Sequence, residues 1–166
     1  MAMLDTLRRS DLFGSLENAH LQKIADICRG VSFREGAIVF KEGDQATELY
    51  ILTEGRLVLE MDVRPVPERP AIPTAVDLIS KDESFGGSAL VPPYVYTSSA
   101  RCMSNCTALA IRADVLQKTM ESTPILGYEV MKKLAELISL RLAHTRLRLT
   151  TGLGLVLLGR ELKLTE

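Results

Sequence analysis

Glycine-containing turns between short segments are the feature that most constrains the fold of this chain. Between residues 31 and 63, segments of four to seven residues are separated by Glu35-Gly36, by Glu42-Gly43-Asp44 and by Glu54-Gly55. We therefore predict strands over 31–34, 37–40, 49–53 and 57–63. Glycine turns that recur at such short spacing are typical of an antiparallel barrel or sandwich.

Helices are predicted on both sides of this β region. We expect a short amphipathic helix over 3–9 and a second helix that is capped by Ser15 and ends before Gly30. Four prolines predict a loop over 64–74. The remaining predicted elements are strands over 75–79, 94–99, 100–103 and 106–111, and helices over 114–120 and from about 124 to 149.

The segment 85–101 contains the parts of a small binding cavity. Phe85 is followed by two glycines, by one predicted helical turn and by Pro92-Pro93, and the next residues carry several hydroxyl groups. Free backbone N–H groups at a helix start suit an anion such as phosphate. However, residues 85–100 include no charged side chain. A tight structural corner without a ligand therefore stays open as an alternative.

The last predicted helix has the spacing of a coiled-coil seam. Its apolar positions include Met131, Leu134, Ile138 and Leu142, which are three and four residues apart. Such a seam favours pairing with a second copy of the helix, so we expect a homodimer. The alternative is a helix that packs lengthwise on its own barrel. Residues 150–166 form an apolar tail that continues the helix, caps the core or frays.

Bulk properties exclude several classes of function. A net charge of −1 gives no overall attraction to nucleic acid or to an anionic membrane. No apolar run approaches the length of a membrane span, and no signal peptide is recognisable, which favours the cytoplasm. His20 and His144 lie far apart in the chain, and no HExxH, nucleophile-elbow or P-loop motif is present. We therefore expect no catalytic residues, no metal site and no enzymatic activity.

The glycine pattern and the order of elements closely resemble the cyclic nucleotide-binding domain family, as found in Crp/Fnr regulators and in cAMP-dependent kinases. The resemblance rests on Phe40-Lys-Glu-Gly-Asp44, on Leu49-Tyr-Ile-Leu-Thr-Glu-Gly55 and on Phe85-Gly86 with Ala89-Leu90. It covers about residues 7–149. It implies a mainly β fold with flanking helices: a β-roll, or jelly-roll barrel, followed by a long dimerisation helix. We assign residues 1–149 to this domain.

The family's phosphate-binding cassette corresponds here to residues 85–98, and its two charged residues are missing. The resemblance implies that the glutamate for the ribose hydroxyl falls on Gly87, and that the arginine for the cyclic phosphate falls on Tyr96. The polar residue that contacts the purine falls on Thr145, which matches in kind. The resulting degenerate pocket comprises Phe85, Gly86, Gly87, Ser88, Ala89, Leu90, Tyr96, Thr97, Ser98 and Thr145.

Two basic residues come into question as replacements for the lost arginine. Arg101 is five residues from Tyr96, and on one strand an odd spacing directs two side chains to opposite faces. We therefore expect Arg101 to face away from the pocket. Lys81, in the preceding loop, is the looser candidate.

These observations leave three functional hypotheses. The favoured one is a non-catalytic regulatory or sensor module that does not bind cAMP in the standard way, with no cofactor except a possible cyclic nucleotide or other small anionic ligand. The second is a genuine cAMP or cGMP sensor that uses a substitute cation. The third is a structural interaction module with a protein partner, whose pocket Tyr96 fills. Only 17 residues follow Leu149, so we expect no DNA binding by this chain alone, whether it acts by itself or is a piece of a longer protein.

Overall fold

Two four-stranded sheets form the body of the protein. The computed structural model describes residues 2–64, 68 and 70–163, with side chains over 3–64, 68 and 70–147. The strands of this part are β1 Cys28–Phe33, β2 Ile38–Phe40, β3 Glu48–Glu54, β4 Leu57–Val63, β5 Ile72–Ile79, β6 Ser84–Phe85, β7 Ser99–Cys102 and β8 Cys106–Arg112. They pair antiparallel in the orders β1-β8-β3-β6 and β2-β7-β4-β5. The predicted mainly β fold with flanking helices is confirmed.

Helices precede and follow the sheets. They are α1 Ala2–Arg9, α2 Asn18–Ala25, α3 Ala113–Ser122 and α4 Pro124–Lys163, with a short 3₁₀ helix over Gly87–Leu90. The predicted cap at Ser15 is wrong, because α2 begins at Asn18 with Glu17 in the N-cap position. Gly30 lies inside β1, because β1 pairs with β8 from Cys28 onwards.

Further boundaries differ from the sequence-based predictions, and α4 continues to Lys163, beyond the predicted end at about residue 149. β5 begins at Ile72 and includes Pro73, which lies in the region predicted to be a loop. A proline is tolerated there because β5 is the edge strand of its sheet. The predicted strand over 94–99 does not form, since Tyr94 has a φ of 58°, in the left-handed region that interrupts an extended chain.

Residues 94–98 lie instead against the loop between β2 and β3. Tyr96 N donates to Asp44 O at 2.9 Å, and Gly43 N donates to Tyr96 O at 2.9 Å. Val95 forms an isolated bridge with Gln45. These contacts hold the second half of the cassette at the side of the barrel.

The hydrophobic core fills the space between the two sheets and extends to the helices. Leu49, Ile51 and Leu52 of β3 are buried there. The first part of α4 joins the same core with the side chains of Leu126, Val130 and Leu134. Since these residues are four apart, one stripe of α4 faces the core of its own chain.

Candidate functional site

A cavity of about 530 Å³ lies between the cassette, the β4–β5 hairpin and α4. Its size is that of a site for a small molecule. Most of its wall is apolar and comes from strands, from the segment after the 3₁₀ helix and from α4. The apolar lining residues are Phe40, Leu59, Met61, Val76, Val91, Pro92, Pro93, Val95, Leu134, Leu137 and Ile138.

The start of the cassette is shaped by a glycine in the left-handed region. Gly86 has a φ of 80° and precedes the 3₁₀ helix, and Ala89 N donates to its carbonyl oxygen at 3.0 Å. A Cβ on Gly86 would lie 2.9 Å from the carbonyl oxygen of Glu48 in β3. The backbone of the cassette therefore packs directly on the sheet at this point.

The predicted pocket residues fall into two groups. Seven of them line the cavity, namely Gly86, Gly87, Ser88, Tyr96, Thr97, Ser98 and Thr145. The other three, Phe85, Ala89 and Leu90, are buried in the core and are not part of the cavity wall. The fold thus brings the cassette and Thr145 of α4 together around one space, although they are far apart in sequence.

Tyr96 forms one wall of the cavity and leaves the cavity open. Its ring stacks on Phe40, with the centroids 3.7 Å apart and the planes 7° from parallel. Its hydroxyl donates to Glu48 O at 2.8 Å and accepts from Glu48 N at 3.2 Å. Burial raises the pKa of Tyr96, which keeps the phenol neutral. The Tyr96 side chain is therefore uncharged, and its hydroxyl is held by the backbone of β3.

Neither of the predicted substitute cations lines the cavity. Arg101 lies in β7 between the buried residues Ala100 and Cys102, and its guanidinium donates two hydrogen bonds to the carboxylate of Glu60. Lys81 is exposed and lies outside the cavity wall. The prediction that Arg101 points away agrees with this position, even though residues 94–98 do not form a strand.

The cation that does line the cavity is Arg141 of α4. Its Nη2 donates to Ser84 O at 2.5 Å, and its Nε lies 3.6 Å from Asp77 Oδ2. This residue was not among the predicted site residues. A signal was available, because Arg141 precedes Thr145 by four residues, and residues four apart share one face of a helix. Among the described residues that line the cavity, Arg141 and Asp77 are the two charged ones.

The predicted dimer seam needs a correction at Leu134. This side chain is only 5% exposed, because it packs into the core of its own chain next to Gly87. Met131, Ile138 and Leu142 are 39–51% exposed. Among the exposed apolar residues of α4, five are spaced by three, four, three and four residues, namely Tyr128, Met131, Ala135, Ile138 and Leu142. Ile125, Leu140 and Leu147 are exposed as well but lie outside this spacing. The candidate seam is therefore the stripe of five, beside the stripe that faces the core.

No group of three or more metal-ligating side chains occurs in the part of the chain that the structure describes. Burial raises the pKa of Cys102 to about 12, so this thiol stays protonated at neutral pH. No helix in the same part is long and apolar enough to cross a membrane.

Comparison with known proteins finds that residues 30–123 match the family model of the cyclic nucleotide-binding domain. This is the family that the sequence resembles. A crystal structure of a Geobacter metallireducens protein named for cyclic nucleotide binding superposes with a TM-score of 0.73 at 31% identity, covering 86% of this chain and 99% of that one. The Thermus thermophilus catabolite activator protein shares the fold, with a TM-score of 0.70, 21% identity and coverage of 85% and 62%.

A curated relative extends beyond this chain. The CRP-like cAMP-activated global transcriptional regulator of Mycobacterium tuberculosis is 24% identical over 80% of this chain. The matched region is 57% of that regulator's length.

Proposed function

Because the chain belongs to the cyclic nucleotide-binding domain family, we propose that it is a non-catalytic sensor module whose cassette no longer holds a cyclic nucleotide in the family's standard way. The observation that carries this proposal is the environment of Tyr96. Its ring is stacked on Phe40 and its hydroxyl is bonded to the backbone of β3, where the family's pattern has the phosphate-binding arginine.

The cost of the two missing charged partners supports this proposal. A hydrogen bond to a charged group contributes about 1.5–3 kcal/mol. The loss of the ribose and phosphate partners therefore costs about 3–6 kcal/mol, which is about two to four decades in affinity. A dissociation constant of about 1 μM would rise to roughly 0.1–10 mM after such a loss.

The cavity itself supports a sensor rather than a vestigial interaction module. Tyr96 stands at the wall, and about 530 Å³ remains open between the cassette and α4. Leu134, Leu137 and Ile138 of α4 line this space. A ligand would therefore touch the helix directly, which gives a route from the cavity to the rest of α4.

We propose that the output surface is the exposed stripe of α4 and that a second copy of this chain covers it. Tyr128, Ile138 and Leu142 are 49–68% exposed, and the heptad spacing of the stripe suits a paired helix. Ile138 lines the cavity as well. A ligand in the cavity would thus contact a residue that also belongs to the proposed interface.

Calorimetric titration with cAMP and cGMP tests the proposal. The natural chain should show no micromolar binding, whereas Gly87→Glu combined with Tyr96→Arg should gain it. A Cβ at Gly87 would lie 3.2 Å from Leu134 Cδ1, so a glutamate there requires a shift of a few tenths of an ångström at the end of that side chain. Gly87→Gln with Tyr96→Met is the matched control, since it has similar side-chain length without charge.

Either of two outcomes would contradict the proposal. One is micromolar cAMP binding by the natural chain. The other is a charged double variant that melts cooperatively but gains no affinity over its uncharged control, which would mean that the cavity has a different shape.

A second candidate is a true cyclic nucleotide sensor with a substitute cation. It is favoured by one observation, the presence of Arg141 in the cavity wall. Micromolar cAMP binding that is abolished by Arg141→Gln would support this candidate over the first.

A further inference from the structure

The charged groups of the cavity lie on α4 and β5, not on the cassette. Arg141 reaches from α4 to the backbone of Ser84, where its Nη2 donates to the carbonyl oxygen at 2.5 Å. Asp77 of β5 stands on its other side, with Oδ2 at 3.6 Å from Nε. A ligand that uses the charge of this cavity must therefore place its anionic group beside α4.

The pair of Arg141 and Asp77 is incomplete. A separation of 3.6 Å exceeds the range of an N–H···O hydrogen bond. About a third of each side chain is exposed, so such a pair contributes little to stability. Asp77 Oδ1 is engaged elsewhere, because it accepts from Leu78 N at 3.0 Å. Arg141 is thus positioned by Ser84 and only loosely neutralised by Asp77.

A guanidinium in this state suits a carboxylate. The planar donors of arginine match the two oxygens of a carboxylate and form two parallel hydrogen bonds with it. The same cavity is lined by Leu137, Ile138 and Met61, which offer apolar surface to the rest of the ligand. A single negative charge is favoured over a dianion, because Asp77 is already nearby.

We infer that Arg141 is the anion-binding residue of this cavity and that the ligand class is a small organic monoacid with an apolar body. This inference rests on the proposed function, in which the cassette supplies no charge. The carboxylate of the ligand takes the place of Asp77 on the guanidinium, and the apolar body lies between the β4–β5 hairpin and α4.

The experiment compares acids with neutral molecules of the same shape. The probes are octanoate and 3-phenylpropionate, each paired with its primary amide, and binding is measured by calorimetry on the full chain. The acids should bind more tightly than the amides. Arg141→Gln should weaken acid binding by about tenfold to a hundredfold, which is the range for a hydrogen bond to a charged group.

Two further variants complete the test: one should raise acid affinity, and the other is a control that should leave it unchanged. Asp77→Asn removes the competing charge and keeps the Oδ1 acceptor for Leu78 N, so it should raise acid affinity by about two- to fivefold. Lys133→Gln removes one positive charge from the same helix outside the cavity, where Lys133 pairs with Glu136, and should leave affinity unchanged.

Three results would overturn the inference. They are equal binding of acid and amide, a loss in Arg141→Gln that affects acid and amide alike, and no acid binding at millimolar concentration by the natural chain. A cAMP titration in the same series reports on the proposed function separately. Micromolar cAMP binding would refute that proposal whatever the acids do, whereas absence of cAMP binding together with equal acid and amide binding would refute the inference alone.

Discussion

Replacing Gly86 by alanine tests how the cassette is attached to the sheet. The φ of Gly86 is 80°, and this left-handed conformation costs a non-glycine residue about 1–2 kcal/mol. The new Cβ would also lie 2.9 Å from the carbonyl oxygen of Glu48. That oxygen belongs to the backbone of β3, so relief of the contact requires a shift of the strand or of the cassette, at a further cost of about 1–3 kcal/mol. We expect Gly86→Ala to lower the free energy of unfolding by about 2–5 kcal/mol.

Gly36→Ala is the matched control for this prediction. Gly36 has nearly the same φ, 79°, but a Cβ there would have no heavy atom within 4 Å. This variant therefore carries only the conformational cost of about 1–2 kcal/mol. The difference between the two variants isolates the contact between the cassette and β3.

Urea unfolding of the two variants and of the natural chain measures that difference. The midpoint should fall for both variants and fall further for Gly86→Ala, with an unchanged dependence on urea concentration. Equal destabilisation of the two variants would refute the reasoning, because it would mean that the backbone of the cassette does not pack directly against β3.

Three other predictions concern the cavity wall, α4 and acid stability. Tyr96→Phe should lower the unfolding free energy by about 1–3 kcal/mol in urea, because the partly buried N–H and C=O groups of Glu48 lose their hydrogen-bond partner; unchanged stability would contradict this. Leu134→Ala should cost about 2–5 kcal/mol, whereas Leu142→Ala should mainly weaken self-association in sedimentation experiments; the reverse pattern would refute the revised seam. The Arg101 hydrogen bonds lower the pKa of Glu60, so the pair stabilises the fold above the ordinary value of 4.5 and this contribution disappears as the pH falls through the lowered pKa. Glu60→Gln should therefore reduce the loss of stability on acidification, measured by urea midpoints across that range, and an unchanged acid dependence would contradict the prediction.

Much of the fold and part of the site followed from local features of the chain. Glycine turns at short spacing indicated an antiparallel β fold, and β4 was predicted with the bounds that the structure shows. The lack of charged side chains at Gly87 and Tyr96 could be predicted from the sequence, because it depends only on the identity of the residue at each position of the cassette. These features are encoded locally, so no knowledge of tertiary packing was needed to find them.

Tertiary structure alone decided which face of α4 packs into the core, which lines the cavity and which is exposed. This helix has two adjoining apolar stripes, so periodicity could not tell that Leu134 packs inward while Leu142 is exposed. Arg141, which was not among the predicted site residues, lies on the same helix. Its place in the cavity depends on how the helix lies across the barrel, because that placement brings Ser84 and Asp77 next to its guanidinium.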